Sequence, residues 1–264
     1  MKIALVQFDI AWEDPAENHR RVAVRLQQAA GQGARLALLP EMFPTGFSMD
    51  AARIAQPPGG LTETFLKKIA GELSLWIIGS IPEAGGVEPP GTDASAPRNT
   101  ALVVSPAGEV VRYSKIHPFT YGGEHRHYAA GDRVVTVSID GVRVTPFVCY
   151  DLRFPEPFRF AARETDLFAV VANWPDARRE HWRTLLRARA IENLAYVAGV
   201  NRVGDGGRLH YAGDSALIDP WGETLAQADA SDRVLTGDVD PRKVAEARTR
   251  FPVLEDVRME AYKR

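Results

Sequence analysis

The chain has 264 residues, 45% hydrophobic and 25% charged, with a net charge of −2. That is ordinary globular composition, long enough for one large α/β unit or two small ones with a sizeable core. No basic stripe, no charge run and no apolar stretch near the roughly 18 residues of a membrane span is present, so neither nucleic acid nor membrane is an expected partner.

The first predicted element is a buried strand, "KIALVQF", interrupted after Phe8 by Asp9 and Glu13. Its apolar run is too short for a signal segment, and a cytoplasmic protein is expected. "DPAENHRRVAVRLQQAAGQG" opens a helix with Asp14 as cap, Pro15 at the first helical position and Glu17 three residues on, the pattern of a capping box. Val22, Leu26 and Ala29 recur on one face, and Gly31 and Gly33 end it. "ARLALLPEMF" is a second buried strand stopped by Pro40, which leaves Glu41 just beyond its end.

"TETFLKKIAGELS" reads as a helix, "LWIIGSI" as a strand and "NTALVVSPAGEVVRYSKIH" as a hairpin turning at "SPAG". Between these last two, residues 83–98 are rich in Gly, Pro, Ser and Ala, and a long mobile loop is expected. "VRVTPFV" is a strand that runs into Cys149, and "DLFAVVAN" is another. "RREHWRTLLRARAIENLA" predicts an amphipathic helix burying Trp182, Leu185, Leu186, Ile191 and Leu194. The strand "YVAGVNRV", the hairpin "DSALIDPWGETLAQA", the strand "RVLTGDVD" and a helix from "PRKVAEAR" complete the order. Strands and helices alternate throughout, with no repeat and no composition shift. A single α/β (or α+β) layered domain over 1–264 is the expectation.

Cys149 is the only cysteine, so it has no intramolecular disulfide partner, which suits a reducing compartment. An unpaired cysteine is often only a small apolar filler. Here it sits between a strand and "DLRFPEPFRFAARE", where Pro155 and Pro157 fit a helix opening; a helix N-terminus beside it is expected to favour the thiolate. The base that serves it is open at this level. Six histidines (His19, His117, His125, His127, His181 and His210) could pair with it in space, which leaves a histidine-assisted hydrolase possible. The carboxylate of Glu41 is the other choice. Lys115, in "YSKIHPF", also follows a strand. Three chemically capable residues at three strand ends are expected to meet, because loops at the strand ends of layered α/β folds converge on one crevice.

In this order, "PEMFPTGFSM", "YSKIHPF" and "VCYDLRFPE" resemble the three signatures of the nitrilase superfamily of carbon–nitrogen hydrolases. "IALVQFDIAWEDPAEN", "NTALVVSPAGEVVRYSK" and "GDSALIDPWGETLA" extend the likeness over nearly the whole chain. "GEHRHYAAGD", "ANWPDARREHW" and "RARAIENLAYVAGVNRVG" look most like the ω-amidase branch, whose bacterial members hydrolyse the terminal amide of 2-oxo acids such as 2-oxoglutaramate. The resemblance implies a four-layer αββα sandwich, no cofactor, no metal, a small-molecule amide substrate and a homodimer or larger assembly. By motif it implies Cys149 as nucleophile, Glu41 as general base, and Lys115 with the backbone N–H of Tyr150 as the oxyanion donors. It also makes Glu124 a second glutamate beside the lysine and Arg153 the contact for the substrate carboxylate. Trp174 and Phe47 are candidate pocket walls. Phe47 stands where eukaryotic members carry a tyrosine, a departure that touches substrate choice. Glu124, His125 and His127 lack a fourth ligand at zinc-like spacing. Another amidase or nitrilase, and a catalytically idle binding protein on the same scaffold, are the competing readings.

Overall fold

In the computed structural model, which describes residues 1–85, 96–258 and 261, side-chain alternation along the first strand already separates two cores. Strand β1 (Lys2–Gln7) sends Ile3 and Leu5 into one and Ala4 and Val6 into the other, as a pleated backbone must. Parallel to it run β2 (Leu36–Leu38) and β3 (Trp76–Glu83); β4 (Arg98–Val104) and β5 (Val110–Ser114) extend the sheet antiparallel. A second sheet is built from β6 (Val137–Ile139), β7 (Val142–Val148), β8 (Leu167–Ala172) and β9 (Tyr196–Asn201), of which the last three are parallel. A hairpin, β10 (Val203–Gly206) and β11 (Leu209–Ala212), stands apart. Strands β12 (Ala216–Ile218) and β13 (Thr224–Gln227) finish the second sheet, and β14 (Arg233–Asp238) returns to pair with β1. Each sheet thus has three parallel strands with antiparallel strands at both sides, a shared plan with no visible repeat in the sequence.

The two sheets pack face to face through Ile3, Leu5, Leu38 and Val103 on one and Val144, Val148, Val171 and Val200 on the other. Outside the first sheet lie α1 (Pro15–Gly31) and α3 (Leu61–Leu73), which bury Val22, Leu26, Leu66 and Ile69 against Ala4, Val6 and Ile77. A short α2 (Ala51–Ile54) precedes α3. Outside the second sheet lie α4 (Pro155–Ala161) and α5 (Arg179–Asn193), and α6 (Pro241–Arg250) follows β14. The layer order is αββα. Helix α5 comes so close to β9 that a Cβ on Gly199 would stand 2.6 Å from Leu186 Cδ1 and 2.9 Å from the Trp182 ring, so this strand position has room only for glycine.

Most local expectations hold, with five differences of physical interest. Asp14 caps α1 by accepting from Glu17 N at 3.0 Å, a contact worth about 1 kcal/mol. The Glu17 carboxylate, however, takes Arg20 and Arg21 at 2.8 and 2.7 Å, because two guanidinium groups outcompete one cap amide. The second strand keeps three residues of ten. On α5 the buried row is Trp182, Leu186 and Ala190, an i, i+4, i+8 line, with Ile191 turned outward at 48% exposure and Leu194 closing the helix in the left-handed region. The predicted strand over 196–203 ends at Asn201, where the chain leaves the sheet to form β10 and β11. Of the loop expected over 83–98, Glu83 and Arg98 are paired strand residues and 86–95 lie outside the described residues.

Candidate active site

Glu41, Lys115 and Cys149 each lie just beyond a strand, β2, β5 and β7 respectively, at one edge of the sandwich. All three are buried, as is Glu124, which starts a single 3-10 turn over Glu124–Arg126. Cys149 has φ +46° and Met42, next to Glu41, has φ +41°. Non-glycine residues adopt that region at a cost of order 1–3 kcal/mol, and such strain is held only where neighbours over-determine it. For Cys149 the neighbour is Asp151. Its fully buried carboxylate accepts from Tyr113 Oη (2.7 Å), Val148 N (3.1 Å) and His117 N (2.9 Å), and it contacts His117 Nδ1 at 2.9 Å. Asp151→Ala strands those donors in a dry site, and about 3 kcal/mol of stability should go with them. Thermal melts should then show the midpoint lower by roughly 5–10 °C; an unshifted melt would show that the turn is held some other way.

Lys115 Nζ donates to Glu41 Oε1 at 2.8 Å and to Glu124 Oε2 and Oε1 at 2.8 and 3.1 Å. Asn99 Nδ2 bridges the same two carboxylates at 2.8 and 3.0 Å. The remaining Glu41 oxygen takes the backbone N–H of Asn173 at 2.9 Å, and Glu124 takes that of Phe119 at 2.5 Å. Phe47 lays its ring 5.2 Å from the ammonium, a cation–π contact that also keeps water off it. Every oxygen of both carboxylates therefore has a fixed donor, so neither side chain can swing away.

Burial opposes the charge on Lys115, but Glu124 and Glu41 more than offset it and hold the ammonium above its ordinary range. Burial pushes Glu124 up, with Lys115 pulling it down and Glu41 raising it further. The thiol of Cys149, which donates to the Asn173 carbonyl at 4.0 Å, is also pushed well up, by burial and then by the nearby Glu41 carboxylate; Lys115 counters only in part. The thiolate expected from a helix N-terminus is therefore corrected. The segment from Cys149 to Arg153 is one 3-10 turn, with little dipole to offer, and two carboxylates against one ammonium make a second anion costly. Cys149 therefore rests as a thiol close to a buried carboxylate.

Cys149 borders a pocket lined by Phe47, Tyr150, Arg153, Trp174, Arg178 and Tyr211 among others. Arg153 sits 4.8 Å above the Trp174 ring and 6.0 Å from that of Tyr150, with Nη2 3.1 Å from His181 Nδ1. The structure thus brings every sequence-predicted site residue to one place. Among the described residues no histidine hydrogen-bonds Cys149: His117 is held by Asp151, and His125 and His127 face solvent while Glu124 beside them points inward. Sequence reasoning passed over Asn99, Asn173, Asp151, Arg178 and Tyr211. A lone amide opening the apolar strand "NTALVV", and another closing "LFAVVAN", were the available signals for the first two; nothing local marks the last two.

Residues 2–249 match the carbon-nitrogen hydrolase family. The chain belongs to the carbon–nitrogen hydrolases. Among relatives of this hydrolase, omega-amidase YafV of Yersinia enterocolitica is 41% identical over 258 residues, covering 97% of this chain and 96% of that protein. The 2-oxoglutaramate amidase of Bacillus subtilis is 32% identical, covering 98% of both. The structure of XC1258 from Xanthomonas campestris, a CN-hydrolase superfamily protein with an arsenic adduct in its active site, superposes with a TM-score of 0.90 at 41% identity, covering 98% and 97% of the two chains. The carbon–nitrogen hydrolase fold and the αββα sandwich expected from the motifs are therefore both present.

Proposed function

We propose that this carbon–nitrogen hydrolase is an ω-amidase that hydrolyses the terminal amide of a 2-oxo dicarboxylic acid monoamide, 2-oxoglutaramate or 2-oxosuccinamate, through a thioester on Cys149. Glu41 accepts the thiol proton as Sγ attacks the amide carbon. Lys115 and the Tyr150 N–H stabilise the oxyanion; a donor aimed at developing charge in a dry site is worth about 2.7–4 kcal/mol. The tetrahedral adduct collapses with the C–N bond breaking, and Glu41 returns the proton to the departing ammonia. A water then gives a proton to Glu41 and its hydroxyl to the thioester carbon, releasing the acid and restoring the thiol. Glu124 and Asn99 keep Lys115 and Glu41 in place and are positioning residues in this scheme.

The observation that carries the substrate class is Arg153, a cation beside the nucleophile whose hydrogen-bond partner among the described residues is a histidine, not a carboxylate. A guanidinium left without a protein anion and opening on the reaction pocket fits a substrate that brings its own carboxylate. The names of the relatives agree. Ammonia release from 2-oxoglutaramate, 2-oxosuccinamate, glutamine and simple nitriles tests the reading, with Cys149→Ala as the blank. The 2-oxo acid amides should lead, and Arg153→Lys should raise their KM about tenfold or more, because an ammonium cannot grip a carboxylate bidentately. Preference for glutamine or a nitrile, or an Arg153→Lys variant with unchanged selectivity, overturns it. No helix among the described residues is long and apolar enough to cross a membrane. A cytoplasmic homodimer is part of the same proposal, supported by the lone reduced cysteine and by Phe160 on α4, which is 83% exposed.

A further inference from the structure

The pocket beside Cys149 holds a second guanidinium. Arg178 lies in the 3-10 turn Asp176–Arg178 that leads into α5, and its guanidinium carbon stands 5.4 Å from the Phe119 ring. Among the described residues its side chain makes no hydrogen bond or ion pair, in a protein where most arginines have one. Its neighbours Arg179 and Arg183 show the contrast, since both are clamped on the buried carboxylate of Asp214. Among the described residues no Asp or Glu lines this pocket, and Arg153 and Arg178 both border it. Burial, and then the nearby Arg178, weaken the hold of Arg153 on its proton, as expected of two unscreened like charges.

Across the same pocket stands Tyr211, contributed by β11. It is buried to 2% exposure with its ring 4.7 Å from the Arg202 guanidinium, and its hydroxyl makes no hydrogen bond to any described residue. A pocket-lining phenol with no partner among the described residues is free to donate its O–H to a bound molecule.

We propose that Arg178 and Tyr211 are specificity-determining residues that complete a recognition site for a 2-oxo acid: Arg178 is the second guanidinium on the substrate carboxylate, opposite Arg153, and the Tyr211 hydroxyl donates to the 2-oxo oxygen. The inference rests on the ω-amidase reading and adds to it the groups that distinguish a 2-oxo acid from other amides. Two cations facing an empty-handed pocket are relieved by one ligand carboxylate, and a ketone next to that carboxylate supplies an acceptor within the same planar unit. A pocket walled by Phe47, Phe119 and Trp174 raises the weight of each polar contact, because little water competes there.

The test uses the full chain, with kcat and KM measured for 2-oxoglutaramate, its 2-hydroxy analogue and butyramide, an uncharged amide. Arg178→Met keeps the aliphatic stem over Phe119 and removes the charge. Its kcat/KM should fall about 10- to 100-fold further for 2-oxoglutaramate than for butyramide, mostly through KM, the weight of one hydrogen bond between charged groups. Arg178→Lys should recover part of that loss. Tyr211→Phe should shrink the advantage of the 2-oxo over the 2-hydroxy compound. Calorimetric binding of 2-oxoglutarate to the Cys149→Ala protein, with and without Arg178→Met, reads the anion site independently of turnover and should weaken by the same factor. Equal losses on charged and uncharged amides, or unchanged 2-oxoglutarate binding in the double variant, overturn the proposal. A parent enzyme that ignores 2-oxoglutaramate altogether defeats the ω-amidase reading instead.

Discussion

Glu41→Gln should lower kcat by about 10³-fold, within the usual weight of a positioned general base, while moving the Cys149 thiol titration toward lower pH. The two effects pull apart because Glu41 has two relations to the sulfur. As a proton acceptor it is needed in the transition state, and an amide cannot replace it. As a buried anion it raises the thiol's pKa, second only to burial itself, so its loss makes the thiolate easier to form. The amide is nearly isosteric and its one carbonyl oxygen can still accept from Lys115 and Asn99, but its NH2 meets the Asn173 N–H donor to donor, so a small loss of stability should accompany the kinetic effect while the fold stays intact. Steady-state ammonia release gives the first quantity, and the thiolate's ultraviolet absorbance against pH gives the second, with no other cysteine to confuse it. A variant that loses turnover while its thiol titrates higher would mean that Glu41 stabilises the thiolate, and the general-base assignment would fall.

Lys115→Met should be damaging twice over. Turnover should drop at least about 10²-fold with the loss of one oxyanion donor. Stability should fall by about 3–5 kcal/mol, since removing one partner of a buried ion pair leaves the other uncompensated, and here it leaves two carboxylates facing each other around Asn99. The stability loss should depend on pH. Glu124 is already held above its ordinary range by burial, with Glu41 adding to that and Lys115 opposing it, so removing the ammonium sends it further up. A carboxyl whose folded pKa exceeds its unfolded one contributes stability below the unfolded value and loses it as pH rises through the folded one. The variant's deficit against the parent should therefore be smallest in acid and widen toward neutral pH. Denaturant midpoints across that range check it; a deficit that does not change with pH would place the two carboxylates under some control other than Lys115.

The residues that meet in the candidate site were legible because each carries a strong local signal. A carboxylate after "LALLP", a lysine after "VVRYS" and the lone cysteine after "TPFV" are polar or reactive groups placed where an apolar strand has just ended. Strand and helix periods were legible for the same reason: Ile3 and Leu5 against Ala4 and Val6, or Val22 with Leu26, need only the pleat or the helical turn to find their faces. The failures lie where several elements compete. Ile191 fits the helical period, yet the row from Trp182 to Ala190 meets Gly199 and takes the buried side. Glu17 fits a capping box, yet two arginines one turn on claim it.

From its order of residues alone this protein determined most of its strands and helices, and set three chemically capable groups just past strand ends, since those follow from neighbours within a few residues. Tertiary structure decided the protonation of the sulfur, because that depends on charges brought in from β2, β5 and the turn at Glu124, dozens of residues apart, into one dry volume. It also brought Arg153, Arg178 and Tyr211, from three separate segments, to the lining of one pocket. Coulomb energy depends on distance in space and on the dielectric between charges, and neither quantity exists until the two sheets have closed.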